Sequence, residues 1–248
     1  MPLARSLSRS GSTVRAGPAG PLILDSSLTG YIEANGTNTL TGVDTLATSA
    51  SGVCLIGGWA MKTALFSSIA LNNSASYGAA IHNATFTDFN QYTLRAYSAS
   101  GLAGGSAWQQ TVTRGSGATE ELSTFLIALA SGSVVQTTAA QPAAAGAGNP
   151  VTSATFTVPA GNPGRVIAMW SGGGFALDGT VQGADIVQPG GESWVLLENF
   201  EHNNVTAPDG HVPLRLWART FPAGYSGTWQ CIPWFNEGGQ MVTFVVQA

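Results

Sequence analysis

The letters LRAY at residues 94–97 return 120 positions later as LRLW at residues 214–217. Two further segments follow each passage in the same order: WQQ at 108–110 and TFLIA at 124–128 after the first, WQC at 229–231 and TFVVQ at 243–247 after the second. The leucine precedes its tryptophan by 14 residues in one passage (94 to 108) and by 15 in the other (214 to 229). A passage repeated in order and spacing predicts that the chain contains two similar modules.

The repeated segments have the pattern of β-strands. Residues 92–97 alternate, with Tyr92, Leu94 and Ala96 on one side of the predicted strand. Turn-forming residues recur about every 8–15 positions, and no window has a clean helical period. We therefore expect an all-β chain built of two tandem antiparallel β-sandwich modules, of jelly-roll or immunoglobulin-like type.

Composition divides the chain into four parts. Residues 1–24 are rich in Ser, Gly, Pro and Arg without any period, which predicts an extended arm. Residues 133–150 end in a run of Ala, Gly, Thr and Pro without large apolar side chains, and Pro142 argues against an Ala-rich helix, so a linker is expected there. The β-sandwich modules are then predicted at residues 25–132 and 151–248.

The chain carries few charges. Charged residues make up 9% of it, against about 25% in ordinary soluble domains. The hydrophobic share of 44% can fill cores and excludes disorder driven by charge repulsion. A low charge also fits a protein that works inside an assembly, because exposed charge would oppose association. We expect a homo-oligomer.

Three of the nine basic residues, Arg5, Arg9 and Arg15, lie in the predicted arm, which contains no acidic residue. The remaining six basic and thirteen acidic residues give residues 25–248 a net charge of −7 (6 − 13). The arm is therefore a candidate for docking on a negatively charged or protein partner. Nucleic acid is the less favoured partner, because affinity for it grows with the number of phosphates neutralised and three arginines are few.

Neither a membrane helix nor a secretory signal is expected. No run of 18 apolar residues occurs, and the first residues lack the apolar core of a signal peptide. Cys54 and Cys231 occupy non-equivalent places in the repeat. Two unpaired thiols are expected, with one bridge between the modules as the alternative.

No catalytic motif is present. The chain has no G-x-S-x-G sequence, and its glycine run at 172–174 is not followed by the lysine of a phosphate loop. His202 and His211 flank an acidic polar loop, but their spacing matches no metal-ligand motif. We therefore expect a protein that is not an enzyme and has no metal or other cofactor.

The aromatic residues divide into two groups. Trp108 and Trp229 are equivalent in the repeat, which predicts that both are core residues. Trp194, Tyr225 and Trp234 stand near turn signals, and we expect them to be exposed contact residues for a partner.

The chain resembles accessory proteins of tailed-bacteriophage virions, such as head fibres, capsid decoration proteins and tail-fibre modules. The resemblance lies in the arm followed by Ala/Gly/Ser/Thr-rich β modules with a single lysine, in GATEELSTFLIAL at residues 117–129, which is similar to the last strand of such modules, and in ATFTVPA at residues 154–160, which is similar to a module start. It implies a structural protein of the virion, docked by its arm on capsid or tail proteins and often trimeric.

Two alternatives remain open from the sequence. One is a module that binds a host glycan or receptor through loops and exposed aromatic side chains. The other is a jelly-roll coat protein of a small virus, whose arginine-bearing arm would contact the genome.

Overall fold

A computed structural model describes residues 20–33, 39–62, 66–86, 92–115, 121–142, 149–173, 181–182, 184–187, 193–200, 202–203, 213–233 and 238–248. All regular structure in these ranges is β-strand, so the prediction of an all-β chain is confirmed.

Within the described ranges, the first half of the chain contains eight strands and the second half twelve. Those of the first half are β1 (Ile23–Glu33), β2 (Leu40–Thr45), β3 (Val53–Lys62), β4 (Phe66–Leu71), β5 (Ala80–Phe86), β6 (Tyr92–Leu102), β7 (Gln109–Arg114) and β8 (Glu121–Leu129). Those of the second half are β9 (Ser133–Ala140), β10 (Val151–Thr152), β11 (Phe156–Thr157), β12 (Gly164–Gly173), β13 (Val181–Gln182), β14 (Ala184–Val187), β15 (Val195–Phe200), β16 (His202–Asn203), β17 (Leu214–Phe221), β18 (Ser226–Gly227), β19 (Gln230–Pro233) and β20 (Gly238–Gln247).

The two halves have the same strand order. The first half forms a five-stranded sheet, β1-β8-β3-β6-β5, and a three-stranded sheet, β2-β7-β4. The second half forms β9-β20-β12-β17-β15 and β10-β19-β14, together with the short pairs β11-β18 and β13-β16. Matched strand by strand, both follow the order 1-8-3-6-5 over 2-7-4. This is a variant of the jelly-roll order, 1-8-3-6 over 2-7-4-5, in which strand 5 pairs with strand 6 instead of strand 4.

Individual hydrogen bonds are repeated between the halves as well. The bond from Gln109 Nε2 to Thr45 Oγ1 (3.2 Å) corresponds to that from Gln230 Nε2 to Thr152 Oγ1 (2.9 Å). The bond from Arg95 Nε to Asn83 Oδ1 (2.7 Å) corresponds to that from Arg215 Nε to Asn199 Oδ1 (2.5 Å). The backbone bond from Leu46 N to Trp108 O (2.8 Å) corresponds to that from Ser153 N to Trp229 O (2.9 Å). The repeated Leu-Arg and Trp-Gln letters thus mark residues with the same structural role.

In the third repeated segment, the structural alignment of the two halves differs from the alignment of the sequences TFLIA and TFVVQ. Trp59 and Trp170 are equivalent, because each lies opposite the repeated arginine in its sheet. Phe125 lies opposite the residue before Trp59, whereas Phe244 lies opposite the third residue before Trp170. The shift of two residues leaves both phenylalanines on the same face of their strands, because side chains alternate with a period of two.

One hydrophobic core joins the two halves, because the five-stranded sheets pack face to face. It contains Cys54, Ile56, Ala60, Leu94, Ala96, Phe125, Ile127 and Leu129 from the first half and Ile167, Met169, Leu214, Leu216, Ala218, Val242, Phe244 and Val246 from the second. Each three-stranded sheet covers the outer face of its own large sheet. The body is therefore a stack of four layers, small–large–large–small.

The contact between the large sheets is reciprocal. The edge strand β1 lies against β15, and β9, which matches β1, lies against β5, which matches β15. Polar side chains also join the halves: Ser26 Oγ donates to Glu198 Oε1 at 2.6 Å, and the Nε2 of His82 lies 3.0 Å from the Oε1 of Gln240. The two halves meet as the subunits of a symmetric dimer would.

The central strands are buried on both faces. In β3, Ile56 points into the shared core while Leu55 and Trp59 face the small sheet. All three side chains are fully buried. This explains why β3 reads as a continuous apolar run instead of alternating.

The predicted boundaries need two corrections. Residues 133–140 form β9, which pairs with β20 at the edge of the second large sheet, so the predicted linker is wrong there. Ile23 and Leu24, assigned to the arm, belong to β1. The crossing between the halves is instead the short turn at residues 130–132, where Gly132 has a φ of 96°.

Both cysteines are buried free thiols, so the bridge between modules is excluded. Cys54 lies in the shared core and Cys231 in the core of the second half. Burial raises the pKa of the Cys54 thiol to about 11 and raises that of Cys231 further. Both groups are therefore protonated and unreactive while the cores stay closed.

Candidate functional site

The described part of the chain begins beside the contact between the two halves. Gly20 and Pro21 are buried, and the Nε of Arg165 donates to the carbonyl of Pro21 at 3.0 Å. A Cβ at position 20 would lie 2.8 Å from the backbone nitrogen of Arg165, so the close approach requires glycine. Leu22, the next residue, is 61% exposed.

The arginines predicted to dock a partner, Arg5, Arg9 and Arg15, lie outside the described residues. Their role stays a prediction. The described part of the predicted arm is limited to residues 20–24, which contact the body as above.

The three predicted contact aromatics have different outcomes. Trp194 is only 5% exposed and packs against Phe221 and Trp229, so its assignment as an exposed residue is wrong. Tyr225 is half-buried, with its ring 4.4 Å from that of Phe221. Trp234 lies outside the described residues. Trp108 and Trp229 are each 1% exposed, which confirms them as core residues.

A cleft opens at the same place in each half, where the small sheet ends and the large sheet continues. The cleft of the second half, about 180 Å³, is lined by Asp185, Ile186, Trp194, Leu196, Arg215 and Trp217. The cleft of the first half, about 290 Å³, is lined by Ile69, Ala70, Leu71, Ala75, Ser76, Tyr77, Gly78 and Tyr97. Both lie between strand 4 of the small sheet and the outer face of strand 6 in the large one.

The repeat itself supplies an aromatic side chain to each cleft. Tyr97 ends LRAY and Trp217 ends LRLW, and both line their clefts. The sequence signal for these positions was the shared aromatic fourth letter, which sequence reasoning did not single out.

The cleft of the second half contains an ion pair. The NH1 of Arg215 donates to the Oδ1 of Asp185 at 3.1 Å and also to the carbonyl of Ala184. The side chain of Arg215 is 8% exposed and that of Asp185 is 68% exposed. Water screens the carboxylate, so the pair orients the guanidinium more than it stabilises the fold.

The cleft of the first half connects to a buried polar network. The Tyr77 hydroxyl donates to Gln110 Oε1 at 2.7 Å, and Gln110 Nε2 donates to Asp44 Oδ2 at 3.2 Å. Asp44 also accepts from the backbone N–H of Thr29 at 2.9 Å. Burial raises the pKa of the Tyr77 phenol well above its ordinary value, so it stays a donor.

The part of the second half that the structure describes has no counterpart of this network. Asp44 lies opposite Gln110 in the first small sheet, whereas Val151 lies opposite Cys231 at the matched place in the second. The two halves therefore have the same strand order but differ in the side chains packed between their small and large sheets.

We expect Asp44→Asn to remove a pH dependence of stability. Burial raises the pKa of Asp44 above its ordinary value of 3.8, against hydrogen bonds that lower it. A raised pKa means that the folded protein prefers the protonated carboxyl, so its contribution is full below pH 3.8 and is lost as pH rises through the folded pKa. The free energy of unfolding of the wild type, measured by urea titration relative to Asp44→Asn, should fall as pH rises from 3 to 7. A difference that grows in favour of the wild type would contradict the assignment.

Searches for relatives of the chain among protein-family models, curated proteins and solved structures gave no match. In the described ranges no helix is long and apolar enough to cross a membrane. The same ranges hold no group of three or more His, Cys, Asp or Glu side chains that would bind a metal ion.

Proposed function

We propose that the chain is a non-enzymatic structural protein of a bacteriophage virion. Its residues before Gly20 attach it to capsid or tail proteins, and its two joined β-sandwich halves are displayed on the surface. The observation that carries the proposal is the position of Gly20 and Pro21 at the contact between the halves, where the Nε of Arg165 donates a hydrogen bond to the carbonyl of Pro21. An attachment at this point would hold both halves of the body at once.

Charge and packing support this assignment. The body has a net charge of −7 over residues 25–248 (6 basic minus 13 acidic), whereas the preceding residues carry only positive charge. A positively charged segment favours a negatively charged surface as its partner, on another virion protein or on a second copy of the body. The large sheets are buried on both faces, which suits a rigid element that projects from a particle.

Deletion of residues 2–19 tests the attachment. The circular dichroism spectrum and melting temperature should be unchanged, because the deletion retains Gly20, Pro21 and the whole of β1. The variant should nevertheless be missing from particles produced from a genome that carries it. Replacing Arg5, Arg9 and Arg15 by Lys is the matched control and should retain incorporation. Normal incorporation of the deleted chain would contradict the attachment. Absence of the wild-type chain from particles would contradict the function.

Binding of a host glycan or receptor is the second candidate, and the two matched clefts favour it. Each places an aromatic side chain from the repeat beside polar groups, which is the composition of many ligand sites. The jelly-roll order agrees with both candidates, since lectin and viral capsid domains use it, and it therefore does not decide between them.

The jelly-roll order also agrees with the remaining alternative, a coat protein of a small virus. Purified particles in which the attachment is sensitive to nuclease and to salt would favour that alternative, because contacts to phosphates weaken as salt rises.

A further inference from the structure

We propose that the cleft of the first half, defined by Tyr77, Tyr97 and strand β4, is a preformed binding site for one uncharged sugar ring. The proposal rests on the second candidate function, glycan binding, and names its site and ligand class. Four features of the cleft lead to it: its walls, its size, the support of its loop and the fixed position of Tyr77.

The walls match the two kinds of surface that a sugar ring has. The rings of Tyr77 and Tyr97 lie 5.6 Å apart at a tilt of 36°, and Ile69 and Leu71 complete an apolar surface for C–H groups. Strand β4 contributes Ile69, Ala70 and Leu71 to the lining and pairs only with β7 among the described strands, so its other edge leaves backbone groups that can bond ligand hydroxyls. The described residues that line the cleft include no Asp, Glu, Lys, Arg or His, which favours an uncharged ligand.

The size favours a single ring over an extended peptide. A volume of about 290 Å³ is at the lower end of the range for small-molecule pockets. A peptide added to the edge of β4 would need a long regular strand, but the pairing of β4 is irregular between Phe66 and Ser68. This leaves only the stretch from Ser68 to Leu71, which is short for strand addition.

The loop that forms one wall is held firmly. Asn72 Oδ1 accepts from Gln109 N at 2.9 Å, and Asn73 and Ser106 exchange bonds, from Asn73 Nδ2 to Ser106 O at 3.0 Å and from Ser106 Oγ to Asn73 Oδ1 at 2.6 Å. These bonds support a left-handed backbone at Asn73 and Ser74, with φ of 55° and 56°. Two successive non-glycine residues in this conformation are costly and persist only where neighbouring contacts enforce them.

Tyr77 is fixed as well. Its hydroxyl donates to Gln110, which the backbone carbonyls of Gly58 and Phe125 hold from the other side at 3.3 and 3.1 Å. Gly57 makes room for this bond, because a Cβ there would overlap both the Tyr77 hydroxyl and the Gln110 oxygen. A wall that is ordered before binding loses little conformational entropy when a ligand arrives, which favours affinity.

The test is saturation-transfer NMR on the full chain with the methyl glycosides of glucose, galactose and mannose. We expect at least one of them to bind. Ala75→Leu fills the cleft with a larger side chain and should abolish the signal. Val135→Leu adds bulk at a 43% exposed position on β9, outside both clefts, and is the matched control that should leave the signal unchanged. Tyr77→Phe keeps the ring but loses the bond to Gln110, and should weaken binding about five-fold.

Absence of a signal from all three glycosides would overturn the proposal, as would binding that survives Ala75→Leu. Either result leaves the structural role intact, because that role is measured by incorporation of the chain into particles. Loss of incorporation after deletion of residues 2–19, in turn, has no bearing on sugar binding by the full chain.

Discussion

Phe244→Ala is expected to lower the free energy of unfolding by about 3–5 kcal/mol and to leave a single unfolding transition. Phe244 is fully buried in the core that joins the two large sheets. Removing its ring opens a cavity lined by side chains of both halves, so both should lose stability together. Urea unfolding followed by tryptophan fluorescence gives the midpoint and the number of transitions.

Val195→Ala is the control for this variant. Val195 is 59% exposed on the edge strand β15, and its truncation should change stability by no more than about 0.5 kcal/mol. Two separate transitions in Phe244→Ala, with only one displaced from the wild type, would show that the halves have independent cores.

Gly132→Ala should destabilise the protein by about 2–4 kcal/mol. Gly132 lies in the turn where the chain crosses from the first large sheet to the second, and its φ of 96° disfavours any side chain. A Cβ there would also overlap the carbonyl of Gln247, at the end of β20. Relief of the overlap would require the start of β9 and the end of β20 to move apart. Thermal unfolding followed by circular dichroism measures the loss.

Gly52→Ala separates the two causes. Gly52 has a φ of 72°, but a Cβ at that position would meet no atom within 4 Å. It should therefore cost only the backbone term, about 1–2 kcal/mol. Equal losses in the two variants would mean that the contact between Gly132 and Gln247 is not tight.

Sequence reasoning predicted the class of fold and the pairs of matched strands, because the repeat preserves residues that fix local structure. Arg95 and Arg215 each bond an asparagine on the neighbouring strand, and Trp108 and Trp229 each fill a core. Contacts of this kind depend on residue identity, so they leave a readable pattern.

The packing of the two halves against each other could not be predicted from the sequence. A strand that is buried on both faces is apolar at every position, so its pattern does not reveal what covers either face. The sequence SVVQTTAA of β9 has the composition of a linker, because an edge strand needs few apolar side chains. It is the pairing with β20 that makes it a strand. Sheet pairing of this kind is a tertiary effect.

The candidate clefts were predicted only in part. Trp194 was expected to be exposed because it follows a glycine-rich turn, yet it packs among Phe221 and Trp229. The residues that build the other cleft, Asn73 and Tyr77, act through a left-handed turn and a buried network. Neither feature has a distinct sequence pattern, because both depend on partners more than 30 residues away.

The sharing of one core by both halves is tested most directly by thiol labelling across a urea titration, with mass spectrometry of the two cysteine peptides. Cys54 lies in the shared core and Cys231 in the core of the second half alone, so each reports the opening of a different region. Both thiols should become reactive at the same urea concentration. Labelling of one cysteine at a clearly lower concentration than the other would show that the halves open separately and would contradict the shared core.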